Sequence, residues 1–211
     1  MESKTATLKW PYKISALKNN RTIVLALIIV DLAMAIASNI VDYPWLMSTE
    51  WYLRPFAPIC SMFPLTLFIW FSLYYFRKKI PAWFTFFVFT GIISYGLMAV
   101  LYFPAYMAFV VGFEWIHIGN MLWVIAYALQ SVFLITHLKR PAITAFLLII
   151  AYFLAKNITD RFFGTFMDLR RPDFPEFLKN ALFASILLIQ FVVFAKSWYL
   201  AGKASNLSSG K

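Results

Sequence analysis

Residues Thr22 to Val41 read TIVLALIIVDLAMAIASNIV, an apolar run interrupted by one ionisable side chain, Asp31. A run of about 20 such residues, wound as a helix, spans the roughly 30 Å hydrocarbon core of a bilayer. Nothing in it resembles a cleavage site followed by a polar start, so it is expected to be a retained first span. Five more runs of that kind follow, at Phe56–Phe76, Ala82–Phe103, Trp115–His137, Ala142–Ile158 and Leu178–Leu200. The chain is therefore predicted to be all-α, a polytopic transmembrane helical bundle of six spans. Residues 1–21 should form a cytoplasmic interfacial segment, 22–200 a single membrane domain, and 201–211 a disordered tail.

Composition agrees. Hydrophobic residues make up 62% of the chain and charged residues 13%, about half the charge of an ordinary soluble domain. Aromatic residues reach 20%, as lipid-facing and interfacial surface requires. Trp10, Trp83 and Trp198 are expected near one interface and Trp45, Trp51 and Trp115 near the other, with Trp70 and Trp123 as deeper packing residues. The single cysteine, Cys60, rules out an intrachain disulfide and a CxxC redox pair.

The distribution of charge sets the expected topology. Lys4, Lys9, Lys13, Lys18, Arg21, Arg77, Lys78, Lys79, Lys139, Arg140, Lys196, Lys203 and Lys211 share one side with a single acid, Glu2. The other side carries Arg54, Lys156, Arg161, Arg170, Arg171 and Lys179, together with Asp42, Glu50, Glu114, Asp160, Asp168, Asp173 and Glu176. The positive-inside rule then places both termini in the cytoplasm. The net charge of +10 is explained by these short loops, so nucleic acid is not an expected partner. The Leu8–Asn20 segment alternates lysines with aromatic and aliphatic residues and suits an anionic lipid surface.

Polar residues inside spans are costly and mark packing or function. Asp31, Ala35, Ser38 and Asp42 fall on one helical face, which fits either a hydrogen-bonded helix contact or a proton or substrate path. Gln130 and Gln190 lie deep in their spans and would bridge helices or meet a carbonyl of lipid or quinone. An outer polar layer is expected from Asn39, Asp42, Glu114, His117, Asn120, Asn157, Asp160 and Arg161. The leading reading of it is an ion-pair and hydrogen-bond layer, with His117, Glu114 and Asp160 as weak metal candidates and a metal or acid/base site as the alternative. The two histidines, His117 and His137, sit about 30 Å apart on one helix and cannot flank one haem. Gly91, Ser94 and Gly96 should permit close helix packing. No resident cofactor is expected, beyond bound lipid or quinone.

Several short stretches resemble a prokaryotic membrane-protein family catalogued as domain of unknown function 1405. They are WYLRPFAPICSMFPL (Trp51–Leu65), ISYGLMAVL (Ile93–Leu101), WIHIGNML around His117, and KNITDRF around Asn157 and Asp160. Ile59 follows Pro58 where that family's pattern leads to an aspartate. The resemblance implies a compact polytopic protein of the prokaryotic cytoplasmic membrane, with members sometimes encoded beside quinol–cytochrome bc-type complexes. The leading functional expectation is a non-catalytic accessory or structural subunit of a larger, respiratory membrane complex, packed on partner helices, lipid or quinone. The alternatives are a membrane-embedded metal-dependent enzyme using the outer His/carboxylate layer, and a small proton-coupled transporter using Asp31.

Overall fold

The computed structural model describes residues 20–56, 59–163 and 174–209. The expectations for the first nineteen residues, for Arg170, Arg171, Asp168 and Asp173, and for the Cys60 and Trp45 side chains lie outside what is described. Six α-helices run along the described chain: α1 (Arg21–Ser48), α2 (Ile59–Tyr75), α3 (Ala82–Tyr106), α4 (Trp115–Leu134), α5 (Ile143–Ile158) and α6 (Glu176–Ser209). Five segments are long and apolar enough to cross a membrane: Arg21–Pro44, Ala82–Val111, Trp115–His137, Ile143–Phe163 and Glu176–Lys203. The apolar part of α2, Ser61–Tyr75, is shorter. The protein is an all-α, polytopic membrane-spanning bundle.

The helices outrun the apolar stretches from which they are expected. α1 passes through Pro44 and ends at Ser48, although the sequence suggests a loop from Asp42. α3 runs on through a π-turn at Met107–Val111 and stops at Gly112, whose φ is 79°. α5 continues through a π-turn at Thr159–Phe163. α6 continues to Ser209 in place of the disordered tail expected from residue 201. The common cause is that an unpaired backbone amide or carbonyl is costly in hydrocarbon. Chain that stays helical keeps those groups paired. At the far end of α6, buried Ala201 and the approach of Gly202 to the Arg140 guanidinium hold the helix against the α4–α5 link.

Both ends of the first hairpin are capped. Asn20 Oδ1 accepts from the backbone amides of Thr22 and Ile23 at 3.0 and 3.4 Å, satisfying donors at the start of α1. Arg54 donates from Nε to the Thr49 carbonyl at 3.1 Å and from Nη2 to the Met47 carbonyl at 3.3 Å, closing the other end of α1. α2 ends in a Schellman turn, with Lys78 N donating to Leu73 O at 2.8 Å and Arg77 N donating to Tyr74 O at 3.0 Å. The left-handed position of that turn belongs to Arg77, at φ 53°. Glycine is the usual residue there, and a side chain in that conformation costs about 1–2 kcal/mol.

α3 is the axis of the bundle. Of its most apolar window 61% is buried, against 17% for α1 and 22% for α4. α1 pairs chiefly with α2, while α4 and α6 pack on α3. The core is aromatic: Phe63, Trp70 and Phe71 of α2 meet Phe86, Phe89 and Tyr95 of α3, Phe153 of α5 and Phe194 of α6. A second cluster joins Tyr102 and Tyr106 of α3 to Phe174, Leu178 and Leu182. Trp70 is buried as expected, its Nε1 donating to Thr85 Oγ1 at 3.1 Å. Trp123, expected to pack inside, is instead 37% exposed on α4 with its ring edge against Tyr127.

Two glycines set the helix spacing. A Cβ on Gly96 would collide with the Ala128 Cβ of α4, and one on Gly91 with the Phe63 ring of α2. Gly119 of α4 faces open space. Gly96→Ala should therefore destabilise the bundle by roughly 1–3 kcal/mol, and more than Gly91→Ala, because an aromatic ring yields more readily than a helix backbone. Gly119→Ala should be neutral or stabilising. Thermal unfolding of the three variants in detergent micelles checks the ranking.

Candidate functional site

The polar side chains of the spans do not converge on one point. They fall into five groups, three joining different helices and two, Lys156 with Asp160 and Glu114 with His117, local in the chain. The deepest is Asp31 with Gln130. Asp31 lies ten residues into α1, about 15 Å along its axis and so near the middle of a roughly 30 Å core. It is fully buried, and its Oδ1 accepts from Gln130 Nε2 of α4 at 3.1 Å. Asp31 Oδ2 and Gln130 Oε1 have no hydrogen-bond partner among the described residues. The face predicted from the sequence is real: Asp31 and Ala35 are buried, and Ser38 and Asp42 are half-buried. Asn39 turns back on its own helix, donating to the Ala35 carbonyl at 2.7 Å.

Asn157 of α5 and Gln190 of α6 form a reciprocal amide pair. Asn157 Nδ2 donates to Gln190 Oε1 at 2.6 Å, and Gln190 Nε2 donates to Asn157 Oδ1 at 3.4 Å. Both side chains are buried. Asn157 was expected in an interfacial layer. It is buried between α5 and α6, and the helix runs on past it through Thr159–Phe163.

One residue earlier, Lys156 is 1% exposed and grips Asp160, its Nζ lying 2.6 and 2.8 Å from the two carboxylate oxygens. The pair has the i, i+4 spacing that faces two side chains on one helix. That spacing is readable in the sequence, but the burial of the lysine is not.

At the mouth of this region Arg161 donates to Asn180 Oδ1 and Glu176 Oε2 at 2.7 and 2.8 Å. Lys179 donates to Glu176 Oε1 at 3.0 Å. Glu176 and Asn180 were not singled out from the sequence, although both open α6 opposite Arg161. His117 Nε2 lies 3.2 Å from Glu114 Oε2 on its own helix, with its ring edge-on to Tyr106.

The weak metal candidates His117, Glu114 and Asp160 are not brought together as one group. His117 and Glu114 pair with each other, Asp160 is held by Lys156, and Asn120 is exposed on α4. Among the described residues no three His, Cys, Asp or Glu side chains form a group that could hold a metal ion.

Between α3, α4, α5 and α6 a cavity of about 120 Å³ opens beside these pairs. Its walls are Tyr95, Met98, Ala99, Tyr102, Leu182 and Ile186, with Asn157, Asp160, Arg161 and Lys179 at its edge. Ligand pockets usually measure about 300–1,000 Å³, so this space takes an aliphatic segment or a small ring, not a whole cofactor. At the opposite end of the bundle lies a larger cavity of about 620 Å³, lined by cations and overlooked in the sequence because its residues come from three separate links.

What the fold and these pairings define is a polytopic α-helical membrane protein whose spans are tied by internal polar contacts. No protein-family model matches the chain, and no curated protein and no solved structure matches it either.

Removing one partner of a buried ion pair leaves the other charge uncompensated, which costs roughly 3–5 kcal/mol. Asp160→Asn should therefore destabilise strongly by leaving the Lys156 ammonium without its carboxylate. Asn157→Leu should cost about 0.6 kcal/mol, the average for a polar contact between membrane helices. Unfolding midpoints in micelles, measured side by side, check the order.

Proposed function

We propose that this chain is a non-catalytic accessory or structural subunit of a larger membrane assembly, residing in a prokaryotic cytoplasmic membrane. In this reading it crosses the bilayer six times, α2 included, with both ends of the bundle at the cytoplasmic face. The observation that carries it is the use made of the polar groups. Asp31, Gln130, Asn157 and Gln190 join helices, and among the described residues no three His, Cys, Asp or Glu side chains form a group that could hold a metal ion.

The outward faces support the same reading. α1 is attached chiefly through α2 and exposes Ile29, Leu32, Ile36 and Ile40. α4 exposes Ile116, Leu122 and Leu129. Such faces suit lipid and the helices of partner subunits. The resemblance to domain of unknown function 1405 makes a quinol–cytochrome assembly the first partner to test, with lipid or a quinone tail against the small cavity. Solubilised gently from native membranes and crosslinked, the protein should migrate with specific membrane subunits. Recovery as a lone monomer, with no crosslinked partner, would refute the proposal.

A second reading is favoured by one atom. Asp31 Oδ2 is buried without a hydrogen-bond partner among the described residues, and an intramembrane carboxyl is a standing candidate for proton transfer. Asp31→Asn separates the two roles, since an asparagine Oδ1 still accepts from Gln130. The structural reading expects normal folding and normal assembly. The transporter reading expects proton flux in liposomes that is present in the natural protein and lost in the variant.

A further inference from the structure

The cavity of about 620 Å³ lies where α1 begins, α2 hands over to α3, and α4 hands over to α5. Five cations line it: Arg21, Arg77, Lys78, Lys79 and Lys139. No carboxylate is among its lining residues. The described ion pairs all involve Glu114, Asp160 or Glu176, at the other end of the bundle. The segment preceding α1 carries Lys4, Lys9, Lys13 and Lys18 against Glu2, so it brings further positive charge and no net counter-charge. Five like charges around one space repel one another, and an anion from outside the chain relieves that repulsion.

A topology signal alone does not explain the arrangement. The positive-inside rule requires only that cations be present in a link. Here five of them, drawn from three places in the chain, also line one cavity. Arg77 holds a left-handed backbone position that glycine would fill without strain, so the arginine stands there against local preference. Arg21 is positioned by the Tyr75 ring, its guanidinium 5.5 Å from the ring centre.

Aromatic side chains, Tyr74, Tyr75 and His137, line the same cavity. His137 sets its ring edge-on to Tyr74 and Trp70, and Trp70 is fixed by Thr85. Val24, Ile80 and Ala82 complete an apolar side that leads into the span region. Cations at the ends of membrane helices beside an apolar wall match a phosphate joined to acyl chains, and basic pockets between helices are known to take anionic headgroups.

We propose that this cavity holds the phosphate headgroup of an anionic phospholipid. Arg77, Lys78, Lys79 and Lys139 contact the phosphate, and the acyl chains lie along the apolar side. This site is at the end of the bundle remote from the cavity beside Asp160, and it does not depend on the accessory-subunit reading.

The test uses the full chain in detergent, titrated with phosphatidylglycerol, phosphatidylcholine or sodium phosphate and read by native mass spectrometry. Phosphatidylglycerol should be retained in preference to phosphatidylcholine, with the preference falling as salt is raised. Arg77→Gln/Lys139→Gln should weaken phosphatidylglycerol binding about thirtyfold. Lys196→Gln/Lys203→Gln removes equal charge from exposed positions on α6 outside the cavity and should leave binding unchanged. Equal retention of the two lipids by the natural protein would overturn the proposal, and that comparison needs no variant to fold. Equal losses in the two double variants would reduce the effect to net charge and overturn it too. Sodium phosphate binding as tightly as phosphatidylglycerol would overturn the lipid assignment.

Discussion

A polar group inside the hydrocarbon layer has no water to turn to, and every feature of this bundle follows from where its polar groups find partners. For the backbone the answer is helix, prolonged wherever possible. That is why α1 runs through Pro44 and α3 and α5 pass into π-turns before they end. For side chains the answer is a partner on a neighbouring helix or one turn away. The Asp31–Gln130 contact ties α1 to α4, and the Asn157–Gln190 pair ties α5 to α6. Each such contact adds little to stability, because the separated helices also find partners in lipid. Their larger effect is on specificity, since a slipped or rotated helix would strand a polar group in oil.

The same constraint explains why α3 is central. It brings no charged residue into the bundle, and its small residues let neighbours approach: Gly91 against Phe63 and Gly96 against Ala128. One of its buried hydroxyls turns back on its own helix, Thr90 Oγ1 donating to the Phe86 carbonyl at 2.7 Å. A helix that makes few polar demands can be surrounded on most sides. α1, with an aspartate on one face and branched aliphatic residues on the other, can be satisfied on one side only, and it stays at the edge.

Much of this was legible in the sequence because hydropathy and helical spacing are direct readouts of the lipid constraint. The apolar runs located the helices, and the face carrying Asp31, Ala35 and Ser38 is the face turned inward. Trp70 was correctly read as internal. What spacing did not reveal was rotation about each helix axis. His117, Asp42 and Asp160 were placed at a common depth, yet His117 pairs with Glu114 and Asp160 with Lys156. Depth is a property of one helix and its length. Convergence depends on which faces of several helices meet, and that is decided by aromatic packing among Phe63, Phe86, Phe153 and Phe194 rather than by the polar residues. Helix ends were misjudged for a related reason, since continuing a helix through Pro44 forfeits one hydrogen bond and saves several.

The two ends of the bundle resolve their charge in opposite ways. Around α5 and α6 each described cation near the mouth has a carboxylate at hand: Lys156 has Asp160, and Arg161 and Lys179 share Glu176. That end is closed on itself, and the cavity beside it is small and mostly apolar. At the other end the cations meet one another around a space several times larger, and the chain provides them no described carboxylate. If positive charge served only to orient the chain, the compact self-neutralised arrangement would be the cheaper one at both ends, because a few extra lysines in each link suffice for orientation. Arg77, in a left-handed turn and lining one cavity with four other cations, runs against backbone preference and incurs Coulomb repulsion. An anion supplied from outside relieves that repulsion, and a membrane surface offers one.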